Sequence, residues 1–192
     1  MENGDCRILE TKEVRLLRFR RRMNMREDRG VTMVEFAIVI VPFFLLLFGT
    51  LELGFILWGT YDLENATYDA ARLIRTGQLQ SGTATPDQFR DRICNRASLL
   101  PNCTSKLRVD VRSYPTMSAM QSNPPLPLDG DGNLQDSYTW NTGGPASIVL
   151  VSAFYPWPLF NLTTSFTMSN MANGDRLLRT SVAFRNEPWE GN

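Results

Sequence analysis

The sequence predicts an α+β fold: one long N-terminal helix, membrane-spanning in its first half, packed on a small antiparallel β-sheet head with a short extra helix. Two observations carry this prediction. A long apolar run begins at Val31 and passes into a segment with helical spacing of apolar residues, and three strand-like segments follow residue 106. The 192 residues suffice for one domain of ordinary size and an appendage.

These patterns divide the chain into three regions. They are a basic cytoplasmic leader (1–30), the membrane-spanning half of the long helix (31–60) and an extracytoplasmic head (61–192). The head is expected to contain the end of the long helix (61–76), a short helix (86–97) and a sheet (106–185).

The apolar run is long enough to cross a bilayer. The sixteen residues from Phe36 to Leu51 carry no charge, and at ~1.5 Å per residue they account for about 24 Å of helix. Extending the helix from Val31 to Trp58 gives roughly 42 Å, against a hydrocarbon core of ~30 Å. Trp58 and Tyr61 lie where an interfacial aromatic belt is expected. A cleaved secretory signal is disfavoured, because the run continues to Trp58 without a small-residue cleavage motif.

The charges that flank the run predict its orientation. Residues 15–30 hold seven arginines against Glu27 and Asp28, although the net charge of the whole chain is zero. Because basic residues stay on the cytoplasmic side of a membrane helix, the N-terminus is expected inside and the head outside. Basic tracts also bind nucleic acid, but this one adjoins an apolar run and no groove-reading motif accompanies it. No nucleic-acid partner is therefore expected.

Two residues inside the run are unusual for a membrane helix. Pro42 removes a backbone hydrogen bond, which predicts a kink or a local loosening of the helix. Glu35 places a carboxylate near the inner edge of the bilayer, where insertion costs less than it does at the centre. On residue chemistry alone, either Glu35 reaches the inner headgroups beside Arg29 or a later partner neutralises its charge.

The residue types argue against an enzyme. The chain has no histidine, which removes Ser-His-Asp and Cys-His catalysis and histidine-ligated metals. No phosphate-binding loop is present, and neither a cofactor nor a small-molecule substrate is expected. The stretch DGDGN (129–133) has oxygen-bearing residues at alternate positions, but Leu134 and Trp140 stand where a calcium loop has glycine and glutamate. A turn without metal is the favoured interpretation.

The apolar run separates the three cysteines. Cys6 precedes it and is expected in the cytosol, whereas Cys94 and Cys103 follow it and share the outer compartment. In an oxidising compartment these two are expected to form a disulfide that closes a ten-residue loop. On the chain-entropy model such a loop contributes roughly 2–3 kcal/mol to stability. Two free, buried thiols are the alternative.

The long helix is expected to continue beyond the membrane and to end near Gly77. Its predicted head-facing side consists of Leu63, Ala66, Ala70, Leu73 and Ile74. The start of the short helix is marked by Thr85 as N-cap, Pro86 at the first helical position and Gln88 completing a capping box.

Three strands are predicted in the head. The segment KLRVDVRSY (106–114) alternates Leu107, Val109 and Val111 with polar residues, and ASIVLVSAFYPW (146–157) is more fully apolar. In the third predicted strand, DRLLRTSVAFRNEP (175–188), two sets of residues occupy alternate positions along the chain. The two sets are Leu177, Arg179, Ser181 and Ala183 against Leu178, Thr180, Val182 and Phe184. A loop rich in proline and glycine connects the first two strands.

The segment RGVTMVEFAIVIVPFF (29–44) resembles the start of a TadE-like minor pilin (pseudopilin) of the tight-adherence pilus, a branch of the type IV pilin superfamily. The segment ENATYDAARLIRTGQ (64–78) continues the resemblance, and RNEPW (185–189) extends it more loosely. The similarity covers roughly the first half of the chain after residue 30, and the middle is not diagnostic. It implies a pilin-like fold, with a long helix packed on a sheet-containing head.

The resemblance also implies processing and subunit pairing. In that family a prepilin peptidase cuts after a glycine at the inner face of the membrane, so Gly30 and Val31 would form the processing site. Glu35 then falls at mature position five, and Phe36 is the aromatic residue that usually follows it. Glu35 of one subunit is implied to pair with the Val31 amine of a neighbour, which would compensate both charges.

The expected function is therefore that of a bacterial minor pilin, single-pass in the inner membrane, with a periplasmic head that also reaches the extracellular pilus. It would act in pilus assembly or initiation for surface adhesion. Its implied partners are other pilins and pseudopilins, the prepilin peptidase, membrane proteins of the assembly platform, and membrane lipid. A non-polymerising, membrane-anchored periplasmic binding or secretion-accessory domain is the alternative, and an anchored enzyme is third.

Overall fold

The computed structural model describes the backbone of residues 5–79, 85–160 and 168–189, with side chains from residue 30 onward in those ranges. Residues 80–84, which precede the predicted short helix, and the side chain of Cys6 lie outside the described parts. The chain divides into two compact units, Met1–Thr50 and Leu51–Asn192. The predicted α+β class is confirmed, because a long N-terminal helix packs on a small antiparallel sheet accompanied by short helices.

The long helix, α1, spans Asp5–Arg75 and contains Pro42. It ends where the sequence predicts. Gly77 has a φ of 76°, and its N–H donates to the carbonyl of Ile74 at 3.1 Å. The next N–H, of Gln78, donates to the carbonyl of Leu73 at 3.0 Å. These two bonds form a Schellman motif, which needs a left-handed residue at position 77 and therefore favours glycine there.

The short helix α2 spans Pro86–Arg96, and its predicted capping box is confirmed. The hydroxyl of Thr85 accepts from the N–H of Gln88 at 3.3 Å, and the Gln88 side chain accepts from the N–H of Thr85 at 3.3 Å. Two further short helices were not predicted: α3 at Cys103–Lys106 and α4 at Met117–Ser122. Because Lys106 belongs to α3, the first strand begins later than the predicted segment.

The head contains one sheet of three strands in the order β1-β2-β3. The strands are β1 (Arg108–Tyr114), β2 (Ile148–Trp157) and β3 (Arg176–Arg185), and both pairings are antiparallel. β2 is the central strand, so it is paired on both edges and buried along nearly its whole length. Both of its faces are covered, because Val149 and Val151 lie in the core and Phe154 on the other face packs against the ring of Tyr138 at 5.9 Å. Its sequence is therefore apolar without alternation.

The edge strand β3 alternates as predicted. Leu178 and Thr180 are buried, whereas Arg179 and Ser181 on the other face are exposed. This pattern fits a strand with one face on the core and one face in solvent. β1 departs from simple alternation, because Asp110 is buried while Val109 is only partly so.

The core of the head lies between the outer part of α1, the helix α2 and the sheet. Four of the five predicted helix positions are buried, and Leu73 is half-buried. The four are Leu63, Ala66, Ala70 and Ile74, and they share the core with Phe89, Val149, Val151 and Tyr155. Thr67 and Ala71 are also buried on this side of the helix. Their small side chains fit a close approach of the helix to the sheet.

The connection between β1 and β2 returns along the outer edge of β1. The N–H of Val111 donates to the carbonyl of Thr139 at 2.8 Å, and the N–H of Asn141 donates to the carbonyl of Val111 at 2.8 Å. Between them, the ring of Trp140 packs against Phe89 with a centroid distance of 5.4 Å. This return pairs backbone groups at an edge that would otherwise be exposed for association with another strand.

Candidate functional site

The first part of α1 presents an apolar surface. Within the described residues, Gly30–Arg75 is the helix that is long and apolar enough to cross a membrane, and its most apolar window has a mean hydropathy of 2.6 with no residue buried. The large exposed side chains along it include Val31, Met33, Phe36, Ile38, Val39, Phe43, Leu46 and Leu51. Such a surface in water would be unfavourable, so it requires lipid or other apolar helices around it.

The predicted processing residues lie at the start of this surface. Gly30 is in the helix and exposed, and Val31 is 56% exposed. A Cβ atom placed on Gly30 would meet nothing within 4 Å, so the fold of this chain does not require glycine there. The same holds for Gly49 and Gly54. Position 30 is distinguished from them by its place directly before the apolar run.

Glu35 and Phe36 are both exposed on α1. In the described part of the chain, the carboxylate of Glu35 has no hydrogen-bond or ion-pair partner. Pro42 lies within the helix, seven positions further along. The assembly role of Glu35 and the kink at Pro42 remain predictions.

A second carboxylate, Glu52, follows the uncharged run directly, and the sequence did not single it out. Its Oε1 accepts a hydrogen bond from the backbone N–H of Phe160 at 2.7 Å. One turn further along α1, Ile56 is buried, and then Gly59 contacts the ring of Trp157. Among the described residues, α1 is therefore already in contact with the rest of the head at Glu52, ahead of residue 61.

The C-terminal segment that contains RNEPW packs around the end of α1. The N–H of Glu187 donates to the carbonyl of Arg75 at 3.0 Å, and the two side chains form an ion pair at 3.5 Å. A Cβ on Gly77 would lie 2.7 Å from a ring carbon of Trp189, so the indole ring occupies the space that a side chain would need. The Asn186 side chain donates to the carbonyls of Thr142 and Gly144, each at 3.0 Å.

Cys94 and Cys103 are joined in a disulfide with their Cα atoms 5.5 Å apart, as predicted from the sequence. Cys103 is buried in the core, and Cys94 packs against it. The bond links α2 to α3. Its place in the head indicates a structural role.

Asp110, which the sequence analysis did not single out, has two partners in the structure. Its Oδ1 accepts from Nε of Arg112 at 2.7 Å, and its Oδ2 accepts from Nη2 of Arg112 at 3.1 Å. Oδ2 also accepts from the N–H of Thr139 at 3.0 Å. The hydrogen bond from Arg112 to Asp110 raises the pKa of the arginine above its ordinary value. This cluster attaches the returning loop to β1, and an i, i+2 acid–base pair on a strand is its only signal in the sequence.

The DGDGN stretch forms a hydrogen-bonded turn. Oδ1 of Asp129 accepts from the N–H groups of Asp131 and Asn133 at 3.0 and 2.8 Å. Asp129 therefore uses its carboxylate to stabilise its own loop. Within residues 30–79, 85–160 and 168–189, no group of three or more histidine, cysteine, aspartate or glutamate side chains is placed to hold a metal ion.

These features define a class of protein: one with a candidate membrane-spanning helix that continues into a small, disulfide-linked α+β head. The model of the TadE-like protein family matches residues 30–72. The resemblance noted in the sequence is thereby confirmed, and the chain carries a TadE-like segment. The match begins at Gly30 and ends in the last turn of α1, so residues 73–78 and RNEPW lie outside it. No curated protein and no solved structure gives a significant match.

Proposed function

We propose that this protein is a minor pilin, or pseudopilin, of a tight-adherence pilus, inserted in the bacterial inner membrane and without catalytic activity of its own. The observation that carries the proposal is the TadE-like segment, whose exposed apolar helix has Glu35 as its sole charged residue between Val31 and Leu51. The proposal places the head in the periplasm, because the arginine-rich segment before the helix favours the cytoplasmic side.

Processing by a prepilin peptidase between Gly30 and Val31 is part of the proposal. Glycine in the interior of a helix costs about 1 kcal/mol relative to alanine. No contact in the described chain needs a glycine at position 30. Recognition of this position by another protein explains the glycine better than the fold does. A peptidase cleft that admits only a small residue before the cut is such a requirement.

The partner of Glu35 is proposed to be the Val31 amine of a neighbouring subunit. Cleavage would create this positive charge four residues before Glu35, and both groups would lie among apolar helices. Breaking a buried ion pair by removing one partner costs about 3–5 kcal/mol, because the remaining charge stays in low dielectric. Subunits stacked with these charges aligned would therefore be favoured over misaligned ones. The other partners are the remaining pilins and the membrane proteins of the assembly platform.

Replacing Glu35 by glutamine tests the proposal. Glu35→Gln keeps the size of the side chain and loses the charge, so insertion and cleavage should be near normal while recovery in sheared pili falls, by about a hundredfold if the loss is ~3 kcal/mol. Glu35→Lys should be worse, because it places like charges together. Glu64→Gln is the matched control, since Glu64 is an exposed glutamate on the same helix beyond the apolar run.

The measurement is the intact mass of the mature chain together with the fraction recovered in sheared pili or in crosslinks to other pilins. Normal assembly by both Glu35 variants would contradict the pairing. That outcome would favour a membrane-anchored domain that does not polymerise.

A further inference from the structure

The segment Trp157–Phe160, which begins at the last residue of β2, runs alongside α1 toward the apolar part of the helix. The ring of Trp157 lies against Gly59, and the backbone N–H of Phe160 bonds to Glu52 at 2.7 Å. From Gly59 to Glu52 the helix covers about 10 Å, and three extended residues also cover about 10 Å. The segment is therefore extended along the helix, and it ends beside the first charged residue after the uncharged run.

The side chains of this segment alternate between the core and the outside. Trp157 and Leu159 pack against the hydrophobic core of the head, whereas Phe160 is 73% exposed. Period-two alternation of this kind places Phe160 away from the core by the geometry of the extended chain. A large aromatic side chain is thus presented outward at the level of Glu52, although the core is directly beside it.

We propose that Phe160 is a lipid-contacting anchor that seats the head on the outer surface of the same bilayer that α1 crosses. This inference rests on the membrane insertion proposed above. From Val31, where the apolar run begins, to Glu52 the helix rises about 32 Å, close to the ~30 Å of a hydrocarbon core, which places Glu52 and the Phe160 backbone at the boundary between acyl chains and headgroups. Apolar side chains such as phenylalanine insert favourably at that depth. Glu52 is a positioning residue, because its carboxylate holds the Phe160 backbone there.

The test uses the full chain with Cys6→Ser, reconstituted in phosphatidylcholine–phosphatidylglycerol vesicles at no more than about one chain per vesicle. Single cysteines carry an environment-sensitive fluorophore at Phe160→Cys, at Leu126→Cys and at Leu46→Cys. Leu126 is the matched control, since it is 66% exposed on a loop of the head, and Leu46 is 72% exposed on the apolar helix. Quenching by aqueous iodide is compared with quenching by lipids that carry a nitroxide near the headgroup.

We expect the label at position 160 to be quenched several-fold more by the nitroxide lipid, and several-fold less by iodide, than the label at position 126. Adding Glu52→Ala should shift position 160 toward iodide quenching and leave position 46 unchanged. If position 160 is as open to iodide as position 126 while position 46 stays in lipid, the anchor is overturned and membrane insertion stands. Protection of position 160 from both quenchers would overturn it in favour of protein contact, and iodide quenching at position 46 would overturn both proposals.

Discussion

Three carboxylates in apolar surroundings show how differently single residues are used in this chain. Glu35 is exposed on the apolar helix and has no partner in the described residues. Glu52 accepts one backbone N–H, and Asp110 is 1% exposed with a bidentate arginine. A buried or lipid-facing carboxylate requires compensation. Glu52 and Asp110 have it within the chain, and for Glu35 we propose that it comes from a neighbouring subunit.

Processing is tested at Gly30. We expect Gly30→Leu to leave an uncut precursor, because leucine is too large for a cleft that accepts glycine before the cut. The folded chain has room for the side chain, since nothing lies within 4 Å of a Cβ there. Gly49→Leu, which is equally unhindered, is the control and should be processed normally. Intact mass distinguishes the outcomes, and a normal mature mass for Gly30→Leu would rule out this cleavage site.

Asp110→Asn should lower the free energy of unfolding by up to about 3 kcal/mol, the lower end of the range for a broken buried ion pair, because Arg112 keeps some contact with water. The amide has almost the same shape, but it carries no charge for the guanidinium. Asp136→Asn is the control, because Asp136 is exposed, and its effect should stay within about 0.5 kcal/mol. Urea unfolding in detergent measures both. Equal effects of the two substitutions would show that the Asp110 pair contributes little.

At the scale of elements, the part of α1 that packs on the head is held by contacts near each of its two ends. In the described part of the chain, Glu52 contacts the head, and the helix ends in a Schellman motif against which the C-terminal segment packs. The ring of Trp189 occupies the space next to Gly77, and Glu187 bonds to the backbone and side chain of Arg75. The looser RNEPW part of the resemblance therefore has a physical role here, which is to attach the end of the chain to the end of the helix.

Gly77→Ala tests this attachment. The left-handed conformation of the residue costs alanine about 1–2 kcal/mol, and its Cβ must also displace Trp189. Gly132→Ala separates the cost of the left-handed conformation from the cost of displacing a neighbour. Gly132 has a similar φ of 81°, but its nearest neighbour is 3.6 Å from the Cβ position. Gly77→Ala should therefore lower the unfolding free energy more than Gly132→Ala. Equal losses in urea titrations would mean that Trp189 moves aside without cost.

At the scale of the whole molecule, the head is held by a core between one helix face and one sheet face, with a disulfide at one side. Tyr155 lies in this core on the central strand. Burial is the main cause that raises the pKa of Tyr155 to about 12, and the charge of Asp175 adds to it. The ordinary value in an unfolded chain is ~10.

This difference predicts how the head responds to alkaline pH. Because the pKa is raised in the folded state, its contribution to stability is fully present below pH ~10 and is lost as the pH rises toward about 12. The thermal midpoint of the chain in detergent should fall over that interval. Tyr155→Phe should make the fall shallower, and Tyr61→Phe should not, since Tyr61 is 65% exposed. The pKa of Tyr138 is also raised to about 12, so part of the fall in the thermal midpoint should remain in Tyr155→Phe. An unchanged slope for Tyr155→Phe would contradict the assignment.

Local patterns along the chain determined much of this protein. The apolar run, the stop at Gly77, the capping box at Thr85 and Gln88, and the alternation of β3 depend on residues within a few positions of each other. Short-range geometry is sufficient for such features. The Cys94–Cys103 pair was also predictable, because only these two cysteines follow the apolar run.

The tertiary structure alone decided which distant residues meet. Glu52 bonds to a backbone group 108 positions away, Asp110 to one 29 positions away, and Trp189 packs on Gly77. No periodicity encodes these contacts, since each depends on where the sheet places a loop against the helix. For the same reason, no pattern in the sequence marked Asp110 as a buried and paired residue. The residue type does not reveal whether a carboxylate is solvated or is buried and paired, because that depends on the packing around it.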